Sequence, residues 1–152
     1  LVTTRERPFR LSKRDGRCWF DQLRLPQELC RWLARPAVRP ELFIRWGGLD
    51  ETELHSFLLE GDDWSAQRVW PCAATWSMGF AWSSYVAQEY LLDVAAEAQL
   101  DRPKVLCMEV ETPDSFDEVF AGATDDLIIL SNGPEGTAGA AARRVDQVFE
   151  SR

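Results

Sequence analysis

Two adjacent aspartates, Asp125 and Asp126, stand where one apolar run of the chain gives way to another. The flanking runs, residues 119–123 and 127–130, are strand-like, which predicts a β-hairpin with the acidic pair at its tip. Two like charges on a tight turn repel each other, and a cation near both removes that cost. A solvated surface turn is the alternative, because Asp is a common turn residue.

A third aspartate, Asp15, follows residues 9–13, whose alternating pattern predicts a strand with one wet face. Nucleotidyl transfer uses carboxylates placed in this way, because they hold two divalent ions about 3.5–4 Å apart. The ions activate the attacking hydroxyl and neutralise the leaving pyrophosphate. Mg²⁺ prefers oxygen ligands and keeps some waters, so two or three carboxylates on adjacent strands can hold it. For Asp15 the alternative is a turn residue ahead of Gly16.

The elements that must position these acids form a sheet covered by helices. The pattern predicts strands near residues 9–15, 104–110, 117–124 and 127–132, and helices at 80–100 and 135–150. The first of these helices contains no Gly or Pro and places Tyr85, Leu92, Ala96 and Leu100 within one broad stripe. We therefore expect an α+β fold with a central, largely antiparallel sheet and both helices packed on one face.

The segment between the first strand and the long helix is predicted to contain smaller elements. Pro26 is well placed to open a short helix. Residues 42–46 are predicted to form a short strand, closed by the Gly47-Gly48 pair. Residues 50–59 are predicted to form a short acidic helix with Asp50 as its cap.

Composition predicts one globular domain: the chain has 152 residues, 45% of them hydrophobic, which is enough to bury a core. The net charge of −8 by itself argues against a nucleic-acid partner, but the average hides an asymmetry. Residues 1–45 carry a balance of +6 and residues 46–152 a balance of −14. This separation of charge suits a basic surface that binds a polyanion beside an acidic cluster that binds metal. The same separation also arises by chance in unrelated proteins.

The cysteines do not predict a zinc site. Cys18, Cys30, Cys72 and Cys107 form no CxxC pair, and the chain has one histidine, His55. Scattered single cysteines without a signal peptide predict buried thiols in a reducing compartment, so we expect an intracellular protein, cytoplasmic or nuclear and not secreted. No apolar run approaches the roughly 20 residues needed to span a bilayer, so no membrane partner is expected.

Three segments, taken in order, resemble the palm motifs of reverse transcriptases. Asp15, with Phe20 at the fifth position after it, resembles the first motif, in which an aspartate ends a strand and an aromatic follows. Asp21 competes for the role of the first acid, but Pro26 stands at the corresponding position after it. Asp15 therefore fits the motif better.

The second and third motifs have counterparts further along the chain. Residues 78–82, with Gln88 nine positions after Gly79, are similar to the second motif, in which a Gly-containing turn opens a helix bearing a Gln. Residues 123–126, followed by the apolar residues 127–129, resemble the third motif, the metal-binding hairpin. The order of the three motifs is that of the family.

The resemblance spans roughly residues 9–150 and implies an RNA-directed DNA polymerase of a retroelement. Such an enzyme adds deoxynucleotides from their triphosphates to a primer on an RNA or DNA template. The resemblance implies a palm-like sheet with part of the fingers, and two Mg²⁺ or Mn²⁺ ions held by Asp15, Asp125 and Asp126. Among these ligands, Asp126 is implied to be the least essential. The oligomeric state stays open.

The resemblance also places four residues around the substrate. Phe20 would lie under the incoming sugar and exclude a 2′-hydroxyl, although ordinary core packing is the alternative. Met78 and Gly79 would border the nucleotide and the templating base, the alternative being a turn ahead of a helix. Gln88 is placed on the substrate side, with a hydrogen bond across the helix or exposure to solvent as the alternatives.

The sequence departs from the family pattern at several points. Ala123 stands where the family usually has an aromatic, most often Tyr, and residues 104–117 are longer than a compact member needs. The chain begins with Leu1 and ends at Arg152, so we expect residues 1–152 to be a partial domain, truncated at both ends and without a thumb. Two other functions stay open: an inactive remnant or interaction domain that retains the palm scaffold, and a metal-dependent nuclease.

Overall fold

The computed structural model describes residues 8–59, 68–108, 111–112 and 116–152. They fall into two compact units, one formed by Leu1–Phe20 with Met78–Arg152 and the other by Asp21–Ser77. The first unit contains β1 (Arg10–Asp15), α5 (Ser83–Glu97), β2 (Val119–Ala123), β3 (Asp126–Ser131) and α6 (Thr137–Ser151). The second contains α2 (Gln27–Cys30), α3 (Pro40–Gly47) and α4 (Glu51–Ser56), and the short α1 (Trp19–Gln22) lies at the boundary.

The first unit is built on an antiparallel sheet in the order β1-β3-β2. β2 and β3 form the predicted hairpin, with Ala123 opposite Asp126. β1 pairs with the other side of β3, so that Asp15 lies opposite Asp126 and Arg10 opposite Ser131. The predicted α+β class and the antiparallel sheet are confirmed.

The two faces of the sheet have different environments. Along β3 the buried residues are Leu127, Ile129 and Ser131, and the residues between them are partly exposed. Both α5 and α6 pack on the buried face, as the sequence predicted. The acids Asp15 and Asp126 lie on the opposite face, which is the more exposed one.

Helix α5 is shorter than the predicted range and buries a different stripe. Its buried residues are Ser83, Ala87, Leu91, Val94 and Ala95. The predicted stripe was wrong at two of its positions, because Tyr85 is 59% exposed and Ala96 is exposed. The helix buries small side chains such as Ala87 and Ala95, which give weak hydrophobic periodicity, so the sequence did not fix which face turns inward.

Helix α6 confirms the C-terminal helix predicted at residues 135–150. The residues that it buries are Ala138, Ala141, Ala142, Val145 and Val148. Three of the five are alanines, which let the helix lie close to the sheet. Arg14 of β1 fixes this contact with two hydrogen bonds of 2.5 and 2.8 Å to the carboxylate of Asp146.

The strand predicted at residues 42–46 was wrong, because these residues belong to helix α3. Pro40 supplies a φ angle suited to the first helical turn, and Glu41 carries a negative charge where the helix dipole favours it. Gly48, with φ of 68°, ends the helix in the left-handed conformation. The glycine pair therefore closes a helix and not a strand.

The strand predicted at residues 104–110 was also wrong in its described part. A 3₁₀ helix occupies Arg102–Lys104, and Val105 makes a single parallel bridge to Phe120. Pro103 lacks the amide hydrogen that a sheet ladder requires, which favours the 3₁₀ turn. Residues 109–110 lie outside the described residues.

Helix α4 confirms Asp50 as a helix cap. The Asp50 carboxylate accepts a hydrogen bond from the Glu53 amide at 2.8 Å, and the Asp50 amide donates to the Glu53 carboxylate at 2.9 Å. This reciprocal capping box satisfies two amides that the helix start would leave unpaired. The helix ends at Ser56, earlier than predicted.

The predicted burial of all four cysteines was wrong for two of them. Cys30 is buried and Cys72 partly buried, but Cys18 and Cys107 are exposed. Cys18 lies in the connection after β1 with φ of 51°, so its side chain follows the turn outward. Within the described part of the chain, no helix has the length and apolar character required to cross a membrane.

Glu118 joins three elements of the first unit. Its carboxylate accepts hydrogen bonds from Lys104 Nζ at 2.9 Å and from Arg144 Nη2 at 2.9 and 3.1 Å. Arg144 also donates from Nε to the carbonyl of Ala98 at the end of α5. Burial raises the pKa of Glu118, but the two cations outweigh it and hold this pKa below the ordinary value.

Replacement of this carboxylate should destabilise the first unit. In Glu118→Gln, Lys104 and Arg144 lose their charged acceptor, and we expect the free energy of unfolding at neutral pH to fall by about 1–3 kcal/mol. Because the folded pKa is the lower one, this contribution is present above the ordinary value of 4.5 and is lost as the pH falls through the folded pKa. Urea unfolding at neutral and acid pH should therefore show a difference from the wild type that shrinks in acid.

The matched control is Glu150→Gln, which removes an exposed carboxylate of α6. It should change the free energy of unfolding by no more than about 0.5 kcal/mol. A loss in Glu118→Gln that does not depend on pH would contradict the ion-pair explanation.

Candidate functional site

Three aspartates lie at one end of the sheet. Asp15 is the last residue of β1, Asp126 is the first residue of β3 directly across from it, and Asp125 is in the adjoining turn. The Gly16 amide donates a hydrogen bond to the Asp125 carbonyl at 2.8 Å, which ties the end of β1 to the turn. The structure thus brings together the three acids that the sequence nominated.

A lysine that sequence reasoning missed lies among these acids. Lys13 Nζ is 2.8 Å from Oδ1 of Asp126, and the side chains are 51% and 38% exposed. Among the described residues, this oxygen is shielded from water and has no other hydrogen-bond donor. Because residues two apart on a strand share a face, Lys13 lies on the same side as Asp15.

The pKa values show that Lys13 interacts with the whole cluster. Its hydrogen bond with Asp126, and the charges of Asp126, Asp15 and Asp125, raise the pKa of Lys13. In return, the hydrogen bond and the charge of Lys13 hold the pKa of Asp126 below its ordinary value. Lys13 and Asp126 therefore form an ion pair at neutral pH.

The donor chemistry of the cluster fits a hard divalent cation, because carboxylate oxygens are the ligands that Mg²⁺ prefers. In the present arrangement, no group of three or more His, Cys, Asp or Glu side chains among the described residues has the geometry to hold a metal ion. The ammonium of Lys13 lies against Asp126, where a shared cation would be expected. Binding of such an ion at Asp126 would require Lys13 to move.

Gln88 of α5 holds the hairpin turn from the buried side of the sheet. Its Nε2 donates to the Gly122 carbonyl at 3.2 Å, and its Oε1 accepts from the Thr124 amide at 2.8 Å. Thr124 has φ of 57°, which costs a β-branched residue roughly 1–3 kcal/mol. Both ends of the Gln88 amide are therefore engaged by the backbone beside the acids, and neither alternative from the sequence describes this contact.

Gly122 lets α5 approach the hairpin closely. A Cβ atom at this position would lie 3.2 Å from Leu91 Cδ2 and 3.5 Å from Gln88 Nε2. Such a contact with Leu91 is tighter than ordinary van der Waals packing. The small residue therefore allows Gln88 to reach both backbone groups of the turn.

Removal of the Gln88 amide should loosen the turn that carries the acids. Gln88→Ala leaves the Gly122 carbonyl and the Thr124 amide without these partners, and we expect the free energy of unfolding to fall by about 1–3 kcal/mol. Hydrogen exchange of the Thr124 amide should also become faster. Gln147→Ala, an exposed position of α6, is the control, and an equal loss in both variants would contradict this role.

The remaining nominated residues lie on elements near the start of α1 and α5. Phe20 is partly buried in α1, which follows β1. Met78 is 81% exposed, and Gly79, with φ of 90°, forms the predicted turn ahead of α5. Apart from its chain neighbours, none of the described residues has an atom within 4 Å of a Cβ built on Gly79, so its backbone is open to approach there.

Sequence reasoning also missed the aromatic support beneath the end of β1. Trp19 is buried, with its ring centroid 5.6 Å from that of Tyr90 and 5.5 Å from that of Phe149. A Cβ on Gly16 would lie 2.6 Å from Trp19 Cε3, so only glycine fits above this ring. The Asp15-Gly16 pair in the sequence carried a signal of close backbone approach, but it did not identify the partner.

The site as a whole combines three aspartates with Lys13, and its turn is fixed by contacts from the helix beneath it. These properties suit chemistry on a phosphate-bearing substrate that arrives with divalent ions. Comparison of the chain with family models, curated proteins and solved structures returns no match, so the comparisons assign it to no family.

Proposed function

We propose that this chain is the palm region of an RNA-directed DNA polymerase of a retroelement, with part of the fingers. The observation that carries the proposal is the β1–β3 register, which sets Asp15 across from Asp126 with Asp125 on the adjoining turn. An antiparallel sheet with helices on one face agrees with the scaffold that the resemblance implies. The residues that match the three motifs are far apart in sequence and belong to the same compact unit.

Each acid has a distinct part in the proposed reaction. Asp15 and Asp125 would supply most of the ligands that bridge the two divalent ions, and Asp126 would be the least essential ligand. When bound, these ions lower the pKa of the primer hydroxyl and neutralise the leaving pyrophosphate. The chain itself keeps the acids in register through the β1–β3 pairing and fixes the turn through Gln88.

The partners follow from this chemistry. They are an RNA or DNA template with its primer, and deoxynucleoside triphosphates. Phe20 would exclude a 2′-hydroxyl by steric clash, and Met78 and Gly79 would border the nucleotide and the templating base. The exposure of Met78 and the open space at Gly79 leave room for such contacts.

A scaffold without activity is the second candidate, and one contact favours it. The Lys13 ammonium already neutralises Asp126, as a purely structural ion pair would. Ala123, in place of the aromatic that the resemblance implies, points the same way because it leaves the floor beside the primer end less filled. In this case the protein retains the palm fold but does not catalyse DNA synthesis.

The test combines metal binding with a primer-extension assay. Mg²⁺ or Mn²⁺ at millimolar concentration should raise the melting temperature, because the ions bind only the folded protein. Primer extension should require deoxynucleotides, the template and the metal. A metal response without extension, also in a chain lengthened at both ends, would favour the scaffold, and cleavage without nucleotides would indicate a nuclease. The absence of any metal response would overturn the proposal.

A further inference from the structure

We infer that Lys13 is a built-in counterion of the carboxylate cluster, and that its ammonium competes with divalent cations for Asp126. The inference rests on the proposed function, because it concerns the same three acids. It adds a residue that the motifs do not include. In this view Lys13 sets how tightly the cluster holds metal.

The position of Lys13 follows from the sheet. Lys13 pairs with Ile128, and Asp126 is two residues from Ile128 along β3, so Lys13 and Asp126 are diagonal neighbours on one face. Diagonal neighbours lie roughly 7–8 Å apart at their Cα atoms, a distance that a lysine side chain spans. The observed contact of 2.8 Å between Nζ and Oδ1 is therefore built into the register.

The charges of the cluster make the Lys13 ammonium and a divalent cation competitors for Asp126. One ammonium faces three carboxylates, so the cluster keeps an excess of negative charge that attracts a further cation. The ammonium and a divalent ion both require the Asp126 carboxylate, and their like charges repel at this distance. Metal binding at Asp126 therefore displaces Lys13.

Displacement of Lys13 costs little. The side chain is half exposed and flexible, so its ammonium can turn into water, and exposed ion pairs contribute little to stability. The neighbouring cation Arg14 cannot take its place, because it lies on the face toward the helices and binds Asp146. Lys13 thus behaves as a counterion that a divalent cation displaces from Asp126.

The experiment measures Mn²⁺ affinity in four forms of the protein. These are the wild type, Lys13→Met, Lys13→Arg and Arg143→Met, the last removing an exposed positive charge from α6. Free Mn²⁺ is followed by its paramagnetic resonance signal, and the melting temperature is recorded at each metal concentration. Lys13→Gln serves as a second neutral variant in case Lys13→Met folds poorly.

We expect the neutral variants to bind Mn²⁺ about two- to fivefold more tightly, because the ion no longer has to break the exposed ion pair between Lys13 and Asp126. Lys13→Arg should keep the wild-type affinity, and so should Arg143→Met. Without metal, the neutral variants should melt at a lower temperature, because the carboxylates lose their counterion.

Two results would overturn the inference in distinguishable ways. Equal or weaker Mn²⁺ binding by the neutral variants, with binding retained by the wild type, would remove Lys13 as a competitor and leave the proposed function in place. Absence of Mn²⁺ binding in all forms, including the neutral variants, would overturn both. An increase that also appears in Arg143→Met would assign the effect to net charge and reject the specific role of Lys13.

Discussion

Asp15→Asn and Asp125→Asn should each abolish the metal-dependent rise in melting temperature and reduce primer extension about a thousandfold. The amide has the same shape as the carboxylate but no charge, so it binds a hard cation poorly. Loss of the charge stabilisation that the ions supply is worth several kcal/mol in the transition state, and about 4 kcal/mol corresponds to a thousandfold in rate. Asp126→Asn should have a smaller effect, because this acid is proposed to be the least essential ligand.

The folded state itself should tolerate these changes. Asp15 lies directly opposite Asp126 on the adjacent strand, so Asp15→Asn relieves repulsion, and its stability without metal should stay equal or rise. Asp126→Asn also loses the ion pair with Lys13, so its stability should fall slightly. Urea unfolding separates this outcome from simple loss of structure. Asp93→Asn, an exposed carboxylate of α5, is the control and should leave both metal response and activity unchanged. If Asp15→Asn kept the full metal response, Asp15 could not be a ligand.

Gly16→Ala should destabilise the folded protein through a steric clash directly beneath the site. The new methyl group would lie 2.6 Å from Cε3 and 3.0 Å from Cδ2 of Trp19, closer than atoms of a folded protein approach. Trp19 cannot move aside freely, because Tyr90 and Phe149 contact its ring. Overpacking of this kind costs about 1–3 kcal/mol. The Asp125 carbonyl, 3.3 Å from the methyl position, should shift with it.

A double-mutant cycle tests this steric explanation by urea unfolding. Trp19→Phe makes the ring smaller and removes a buried Nε1 that has no hydrogen-bond partner among the described residues, so Gly16→Ala should cost less in that background. Gly47→Ala is the matched control, because its methyl group would meet no atom closer than 3.8 Å. Equal costs of Gly16→Ala in both backgrounds would show that the Trp19 ring is not the cause.

The main parts of the first unit could be predicted because their signals are local. Alternation in β1 and β3 and the polar turn between two apolar runs identify the strands at short range. Helix α6 carries regularly spaced apolar residues, which fix its inward face. The relation between Asp15 and the Asp125-Asp126 pair came from the motif resemblance, since no local pattern specifies which strands pair.

The failures occurred where a short apolar run fits two structures. Residues 42–46 suit a strand or one side of a helix, and the decision came from Pro40 before the run and Gly48 after it. Residues 104–110 look like a strand by composition. Pro103 and the ion pair between Lys104 and Glu118 favour a 3₁₀ turn at the start of this segment over a strand.

The contacts that support the site could not be predicted from the sequence. Lys13 is one polar residue of an alternating strand until β1 pairs with β3, and only that register brings it to Asp126. Gln88 likewise depends on how deeply α5 sits against the hairpin, which Gly122 decides. Contacts of this kind arise from tertiary packing, which sequence patterns do not encode.

The pairing of β1 with β3 also determines when the acids can meet during folding. The β2–β3 hairpin and α6 are neighbours in sequence and can form early, whereas Arg14 and Asp146 are 132 positions apart. Closure of such a long loop has a high entropic cost and slows topologies that depend on it. We therefore expect Asp15 to reach the Asp125-Asp126 turn only when β1 docks against β3, after the hairpin has formed.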